Sequence, residues 1–422
     1  MWQPVQMRGM TQNPVVIAVT GMLALAVAMG IGRFAFTPLL PMMLHDGVIG
    51  LPQASWLATA NYLGYWLGAM ACAAQPWVWA RVARKGLAMT GVIRLGLVAT
   101  VVLTLAMAGP WPQVWAALRF LAGVASAMVF VYTSGWCLAR LAALDAPRLA
   151  GIIYVGPGLG IAVSGLSATA MVANQLSAAT GWAIFGALSL VLTLAIWPRL
   201  QGSVTAAAST QSAPLPVHGA VMVLLVLAYG FAGFGYIISA TFLPVIARQV
   251  LPGSVWLDLF WPMFGVAVAA GALLTMRLPP HWDRRHLLMA CYLLQAAGVM
   301  AGMWWPTLAG FALGSLLLGL PFTAITLFAM QEVRRVRPAD ASVFIGLLTA
   351  AYGLGQIAGP ALVAWLLARS ATPQAGFDAS LQVAAAALLL GMALYAVLVR
   401  LSPQRQSGAG LAQTPRAAAR PK

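Results

Sequence analysis

The sequence predicts an all-α membrane protein with twelve transmembrane helices in two six-helix halves. Three observations predict this fold. First, 62% of the 422 residues are hydrophobic and 7% are charged, whereas soluble domains carry about 25% charged residues. Second, the apolar residues form runs of roughly 20 residues or more, which are long enough to cross a bilayer as helices. Third, short motifs of the first half recur in the second half at an offset of six runs.

The apolar runs and the basic residues between them define the topology. The twelve runs are 15–44, 53–75, 86–108, 113–139, 150–173, 181–198, 218–246, 256–276, 287–304, 307–331, 342–368 and 379–400. Lys and Arg concentrate in alternate gaps, while the opposite gaps hold only Arg248 and Arg369. Because basic loops mark the cytoplasmic side, we expect a multi-pass protein of the bacterial inner membrane with both termini in the cytoplasm. The net charge of +16 follows this topology and does not indicate nucleic-acid binding.

Polar stretches divide the chain into parts. Residues 201–217 indicate a flexible cytoplasmic linker between an N-terminal half, residues 1–200, and a C-terminal half, residues 218–401. Residues 402–422 are polar and basic and are expected to be disordered. Three cysteines lie singly in separate apolar runs, which predicts neither a disulfide framework nor a metal site. No cofactor is expected.

The two halves share sequence motifs at matching positions. The stretch "GIGRFAFTPLLP" at 30–41 aligns with "GFGYIISATFLP" at 233–244, and "GLGIAVSG" at 158–165 aligns with "GLGQIAGP" at 353–360. The first match joins spans 1 and 7, and the second joins spans 5 and 11. A common offset of six spans indicates a duplication, and parallel halves with a solute path between them are a transporter plan.

The stretches "GIGRFAFTPLLPMM" and "YGLGQIAGP" resemble the YbfB/YjiJ-type branch of the major facilitator superfamily (MFS). The resemblance covers essentially the whole chain. It implies a secondary carrier that works by rocker-switch alternating access, with its site near the bilayer midplane. It leaves the substrate open.

Three motifs of that superfamily are present in part. The loop between spans 2 and 3 keeps its basic residues but has Ala80 where the family has Asp, which puts the cytoplasmic lock of this motif in doubt; the residues kept are Arg81, Arg84 and Lys85. The loop between spans 8 and 9 retains Asp283 and Arg284, although Asp283 is equally explained as the N-cap of span 9. Span 4 carries the Arg-x-x-x-Gly pattern, and span 5 part of the Gly-Pro-x-x-Gly antiporter motif, which favours export; these residues are Arg119, Gly123, Gly156, Pro157 and Gly160.

Two arginines in the predicted spans are the strongest site candidates. Arg33 lies in span 1 and Arg119 in span 4, and an arginine at a helix centre costs about 2.5–3.5 kcal/mol by insertion scales. Both are expected between the midplane and the outer face, where two guanidinium groups could bind a carboxylate, sulfonate or phosphate. The alternative is that each reaches the membrane surface or supports neighbouring backbone carbonyls.

Acidic residues are scarce in the predicted spans. Of seven acids, only Asp258 falls inside one, near the outer end of span 8. It could carry a proton, pair with Arg33 at an outer gate, or lie at the interface. Without an acid in the central cavity, the sequence favours an anionic or neutral solute over a cation.

Uncharged polar residues complete the candidate site. The predicted solute contacts are Asn61, Tyr132, Tyr236 and Gln356. Tyr236 aligns with Arg33 across the duplication, and Gln356 needs a partner because its amide lies in an apolar span. Paired small residues and prolines predict close helix contacts and bends that assist conformational change; they include Gly30, Gly32, Pro41, Pro244, Gly355, Gly359 and Pro360.

The predicted function is a secondary active transporter for a small organic solute, acting as a monomer and working either with or without protons. Proton-coupled efflux of drugs or other metabolites is the alternative within transport. A multispan membrane enzyme is the alternative outside it, but this would require paired acids or a Cys-His set. The four histidines lie at the ends of predicted helices and no predicted span holds two acids.

Overall fold

The computed structural model describes residues 13–82, 88–202, 219–251, 255–279, 281–337 and 341–402. Every regular element in these ranges is helical. The helices of the first half are α1 (Pro14–Leu25), α2 (Phe36–His45), α3 (Leu51–Val82), α4 (Met89–Ala106), α5 (Pro112–Ala143), α6 (Ala150–Ile153), α7 (Val155–Ala173) and α8 (Ala178–Ile196). Those of the second half are α9 (Gly219–Val250), α10 (Phe260–Thr275), α11 (Arg284–Trp304), α12 (Leu308–Gly319), α13 (Phe322–Val336), α14 (Ala341–Leu367) and α15 (Pro373–Leu401).

These helices confirm the predicted fold class. Within the described ranges they form twelve spans, because spans 1, 5 and 10 each consist of two consecutive helices. Eleven spans are long and apolar enough to cross a membrane by length and composition. The remaining one, α3, is 32 residues long. The predicted linker falls almost wholly on residues 203–218, and the tail on 403–422, both outside the described residues.

The helices extend beyond the apolar runs, and this corrects one expectation about acids. Asp258 lies in a short 3-10 turn, Val255–Leu259, that precedes α10. The helix α13 includes Glu332, which is buried, and α15 includes Asp378 in its second turn. The expectation that only Asp258 lies in a span was therefore wrong. Hydropathy identifies only the apolar part of a helix, whereas the backbone hydrogen bonds of the helix continue into polar turns at each end.

Among the described residues, three pairs of helices make the most extensive contacts between the two halves. The helix α7 packs on α10, α3 on α14, and α2 on α9. The α7–α10 contact joins backbone to backbone, since a Cβ added at Gly158 would lie 2.5 Å from the Ala269 nitrogen. Glycine thus allows the halves to approach closely at this seam.

One end of the bundle is closed between the halves. Residues 24–43 of span 1 and 235–247 of α9 are buried on every side. Here the Thr37 hydroxyl donates to the Ala240 carbonyl at 3.0 Å, and the hydroxyls of Tyr62 and Thr241 lie 2.9 Å apart. We call this end, which contains Pro41 and Pro244, the sealed end. Farther from it, aromatic side chains are half exposed, among them Tyr65, Trp66 and Tyr352.

Candidate functional site

The site begins with a break in span 1. After α1, residues Ala26–Ile31 form a π-helical turn, and α2 starts only at Phe36. Proline has no backbone N–H, so Pro38 cannot donate to the Phe34 carbonyl, which accepts from the Thr37 nitrogen at 3.1 Å instead. The aligned residue of the second half is Thr241, and α9 is continuous there. The break is therefore specific to the half that carries Arg33.

Side chains of span 4 satisfy the carbonyls that the break releases. The Ser126 hydroxyl donates to the Ala28 carbonyl at 2.9 Å. Arg119 donates from Nη1 to the Gly32 carbonyl at 3.2 Å and from Nη2 to the Arg33 carbonyl at 3.0 Å. Arg119 is 2% exposed. Its geometry thus matches the alternative of carbonyl support, while direct contact with a solute stays a prediction.

Arg33 meets two of the predicted contacts from the other half. It is 3% exposed, and its Nη2 donates to Gln356 Oε1 at 2.7 Å. The Gln356 amide nitrogen in turn donates to the Tyr236 hydroxyl. Spans 1, 7 and 11 therefore bring these three residues together, and the hydrogen bond from Arg33 to Gln356 crosses the interface between the halves.

Aromatic rings rather than carboxylates surround the Arg33 guanidinium. Its Cζ lies 4.0 Å from the ring centroid of Tyr65, 5.1 Å from that of Tyr62 and 5.2 Å from that of Phe34. Such contacts attract a cation weakly and leave its charge in place. Within the described residues, no Asp or Glu oxygen lies within 4.0 Å of the guanidinium nitrogens. The Arg33 Nε is buried without a hydrogen-bond partner.

A stack of tyrosines extends from this group along the second half. The rings of Tyr236 and Tyr352 have centroids 5.8 Å apart at 23°, and those of Tyr352 and Tyr229 are 4.7 Å apart at 29°. Phe322 contacts the Tyr236 ring edge-on at 5.0 Å. Sequence reasoning missed Tyr229 and Phe322. Tyr229 could have been found, because it precedes Tyr236 by seven residues and so lies on the same face of α9.

Three other predicted residues lie apart from Arg33 or serve different partners. Tyr132 donates to the Gln75 side chain, and it follows Arg119 by 13 residues on α5, which is roughly 20 Å along the helix axis. Asn61 is fully buried and donates to the Arg119 carbonyl at 2.8 Å, between α3 and α5. Asp258 pairs with Arg248, not with Arg33. Its role as a proton carrier stays a prediction.

A buried ion network, which sequence reasoning missed, joins the ends of α11, α13 and α15. Arg285 is 1% exposed; its Nη2 lies 2.7 Å from Asp283 Oδ2 and its Nε 3.8 Å from Glu332 Oε1. Glu332 also accepts from Arg335 at 2.5 Å. Asp283 caps α11, accepting from the Arg285 nitrogen at 2.9 Å. Burial raises the Asp283 pKa, but the hydrogen bonds from Arg285 outweigh it and leave the pKa below its usual value.

The residues of the partial MFS motifs are placed unevenly. Arg84 and Lys85 lie outside the described residues, and of Arg81 only the helix that contains it is described. Arg284 is the first residue of α11 and directly follows the N-cap Asp283. Pro41, Pro244 and Pro360 lie inside helices α2, α9 and α14.

The predicted small residues lie at tight helix contacts. A Cβ added at Gly30 would lie 2.4 Å from the Gly160 Cα, between spans 1 and 5. One added at Gly355 would lie 2.4 Å from the Gly230 carbonyl oxygen, between spans 11 and 7. Added Cβ atoms would also be crowded, at less than 3 Å from a neighbour, at Gly32, Gly123, Gly156 and Gly359. Their part in conformational change stays a prediction.

Comparisons with known proteins agree with this architecture. Among solved structures, a mutant of the nucleoside transporter NupG superposes with a TM-score of 0.70 at 13% identity, over 90% of this chain and 99% of that chain. The unmutated NupG superposes with a TM-score of 0.68 at 14% identity, over 92% of this chain and 99% of that chain. A bacterial homolog of the human lysosomal transporter Spinster, in an inward-facing and unoccupied conformation, superposes with a TM-score of 0.65 at 13% identity. The superposition covers 93% of this chain and 98% of that chain. At these identities the likeness shows the fold alone.

The sequence comparisons supply the family. No curated protein matches the chain. The family model described as "Uncharacterised MFS-type transporter YbfB" matches residues 25–396. The family and the structural neighbours are transporters and not enzymes. The chain therefore belongs to the YbfB-type family of the major facilitator superfamily.

Proposed function

We propose that this protein is a secondary active transporter that carries a small organic anion across the bacterial cytoplasmic membrane by alternating access. One observation carries the proposal. Arg33 is buried between the two halves with aromatic rings and an amide as neighbours and no carboxylate beside it among the described residues. An uncompensated buried cation is costly, so a site of this kind favours a ligand that brings the opposite charge.

The present partner of Arg33 can be displaced by such a ligand. Gln356 accepts one hydrogen bond from Arg33 through a neutral amide oxygen. A guanidinium binds a carboxylate through two parallel hydrogen bonds and by attraction between opposite charges, whereas the amide oxygen offers it one bond and no charge. An anion would therefore replace the Gln356 oxygen, while the Gln356 and Tyr236 donors remain near enough to hold it from the second half.

This competition supplies a physical link to alternating access. A ligand shifts a conformational equilibrium only by its difference in affinity between the two states. The anion would be bound by Arg33 from span 1 and by Gln356 and Tyr236 from spans 11 and 7. Its affinity would therefore be highest when the two halves are close together. The solute would then favour a closed intermediate between the states that open to either side of the membrane.

The proposed orientation places the sealed end outside. The charge bias of the loops supports cytoplasmic termini, so the half-exposed rings of Tyr65 and Tyr352 would open toward the cytoplasm. The similar Spinster homolog has an inward-facing conformation. The partial antiporter motif of span 5 supports export, and the protein would act as a monomer. Proton coupling would rest on Asp258, whose pairing with Arg248 would have to open for it to gain a proton.

The proposal is tested by binding to the purified full-length protein. Thermal unfolding in detergent is measured with carboxylates, sulfonates and phosphate esters, each beside a neutral amide or alcohol of the same carbon skeleton. Stabilisation by acids alone is expected, lost in Arg33→Gln and kept in Arg94→Gln, which removes a half-buried arginine elsewhere in the same half. Counterflow of the labelled acid in proteoliposomes then establishes transport. Stabilisation by the neutral compounds, unaffected by Arg33→Gln, would show that the solute is not an anion.

A further inference from the structure

We infer that the transported anion carries a planar aromatic ring, so that the substrate class is an aromatic carboxylate or sulfonate. The inference rests on the proposed function, because it takes the acid group to lie at Arg33. It goes further by assigning the rest of the solute to the tyrosine and tryptophan side chains beside that residue.

The position of Arg33 determines where the body of the solute must lie. Toward the sealed end, the space is filled by buried residues 24–43 and 235–247. Of the three rings around the guanidinium, only Tyr65 is partly exposed, and its ring centroid lies 4.0 Å from the Arg33 Cζ. A solute whose acid group meets Arg33 therefore extends away from the sealed end, past Tyr65.

Along that direction the second half presents the edge of a tyrosine stack. Tyr352 stacks between Tyr236 and Tyr229 at interplanar angles of 23° and 29°. Tyr236 and Tyr229 are buried, at 1% and 2% exposed, whereas Tyr352 is partly exposed. The Tyr229 hydroxyl donates to Thr326 at 3.0 Å, which anchors the far end of the stack. Because the Tyr236 and Tyr229 rings cover both faces of Tyr352, a solute can reach only its partly exposed edge, which the stack holds in place.

The first half presents a second flat ring close to the first. Trp66 donates from its indole nitrogen to the Ala350 carbonyl at 2.9 Å, across the interface between the halves. Its ring lies against Gly353, the residue after Tyr352, where an added Cβ would be 2.4 Å from Trp66 Cδ1. The hydrogen bond and the missing Cβ let the Nε1–Cδ1 edge of the indole lie against α14, which fixes the position of the ring. Rings from both halves therefore border the space beyond Arg33.

Two features of this arrangement favour an aromatic over an aliphatic solute. Aromatic pairs gain attraction beyond the area they bury, and the exposed rings here are already fixed in plane, so little ordering is required on binding. That extra attraction corresponds to a preference of about two- to tenfold in affinity. A cationic aromatic solute is disfavoured, because Arg33 would repel it.

The experiment uses acids that differ only in the ring. The full-length protein in detergent is titrated with three pairs: benzoate and cyclohexanecarboxylate, phenylacetate and cyclohexylacetate, and 2-naphthoate and its decahydro analogue. We expect the aromatic member to bind about two- to tenfold more tightly in at least one pair. Tyr352→Leu should abolish this preference while it leaves the affinity for the saturated acid within twofold. Tyr352→Phe, which keeps the ring, should retain the preference, as should Trp305→Leu, which removes an exposed ring at the end of α11.

The outcomes separate this inference from the proposed function. Equal affinities within every pair, with binding lost in Arg33→Gln, would overturn the aromatic substrate class and leave the anion carrier standing. A ring preference that survives Tyr352→Leu would overturn the assignment of Tyr352 as the aromatic contact of the solute. Absence of Arg33-dependent binding by every acid of this series, and by the sulfonates and phosphate esters tested for the proposed function, would overturn both.

Discussion

Two buried arginines, Arg119 and Arg33, are joined by a hydrogen bond from the Arg119 Nη2 to the Arg33 backbone carbonyl, at 3.0 Å. The two arginines thus have different partners. Arg119 binds the carbonyl dipoles that the break in span 1 exposes, and Arg33 extends its own guanidinium to Gln356. Because the helix break exposes these carbonyls, Arg119 can hold the backbone that carries Arg33.

The first prediction concerns the charge and shape of Arg33. Arg33→Gln is expected to weaken the best-binding acid about ten- to a hundredfold, because it removes a hydrogen bond to a charged group inside the protein. Arg33→Lys should recover only part of this affinity, since an ammonium cannot form two parallel bonds with a carboxylate. Titration calorimetry measures both. Unchanged affinity in Arg33→Gln, with the half-buried Arg94→Gln as the matched control, would contradict an anion site at Arg33.

The second prediction assigns Arg119 to the backbone of span 1. Arg119→Gln leaves at least one of the carbonyls of Gly32 and Arg33 without a donor, and each unpaired buried group costs about 1–3 kcal/mol. The unfolding temperature of the protein without ligand should therefore fall. If Arg119 instead contacts the solute directly, Arg119→Gln will weaken acid binding and leave the unfolding temperature of the empty protein unchanged.

The third prediction concerns the cause of the helix break. Pro38→Thr introduces the residue that the second half has at the aligned position, and it restores a backbone N–H for the Phe34 carbonyl. Span 1 should become more regular, with slower amide exchange over residues 32–37 and weaker acid binding, since Arg33 moves. Pro41→Ala is the control, because its counterpart Pro244 lies within a continuous helix. Equal effects of the two substitutions would show that Pro38 is not the cause.

The fourth prediction tests the contact between spans 1 and 5. Gly30→Ala places a methyl group 2.4 Å from the Gly160 Cα, a backbone atom that cannot move aside cheaply, and such overpacking costs about 1–3 kcal/mol. The unfolding temperature should fall. Gly346→Ala, where nothing lies within 4 Å of the added atom, should raise it slightly, since alanine favours the helix by about 1 kcal/mol. The two substitutions are therefore expected to change the unfolding temperature in opposite directions, and a thermal scan of both variants measures this.

The fold and part of the site could be predicted from local features. Span number follows from the length of apolar runs, and Arg33 was identifiable because a charge in such a run is costly wherever it lies. Gln356 was predicted because its amide needs a partner in an apolar span, and Tyr236 because it aligns with Arg33 across the duplication; both lie with Arg33. Tyr132 and Asn61 have equally polar groups in spans, yet Tyr132 bonds Gln75 and Asn61 bonds the Arg119 carbonyl. The rotation of each helix about its axis distinguishes these cases, and packing determines that rotation.

The sequence by itself determined that this chain crosses a membrane in two related halves and that an arginine without a neighbouring acid lies in its first span, because hydropathy and internal repetition are properties of the chain read in order. Only the tertiary structure decided that Arg119 serves the backbone, that Asp258 pairs with Arg248, and that Arg285 lies beside Glu332. Each of these is a contact between residues distant along the chain or on opposite sides of a turn. Their energies depend on distances of a few ångströms, which are established only when the helices pack.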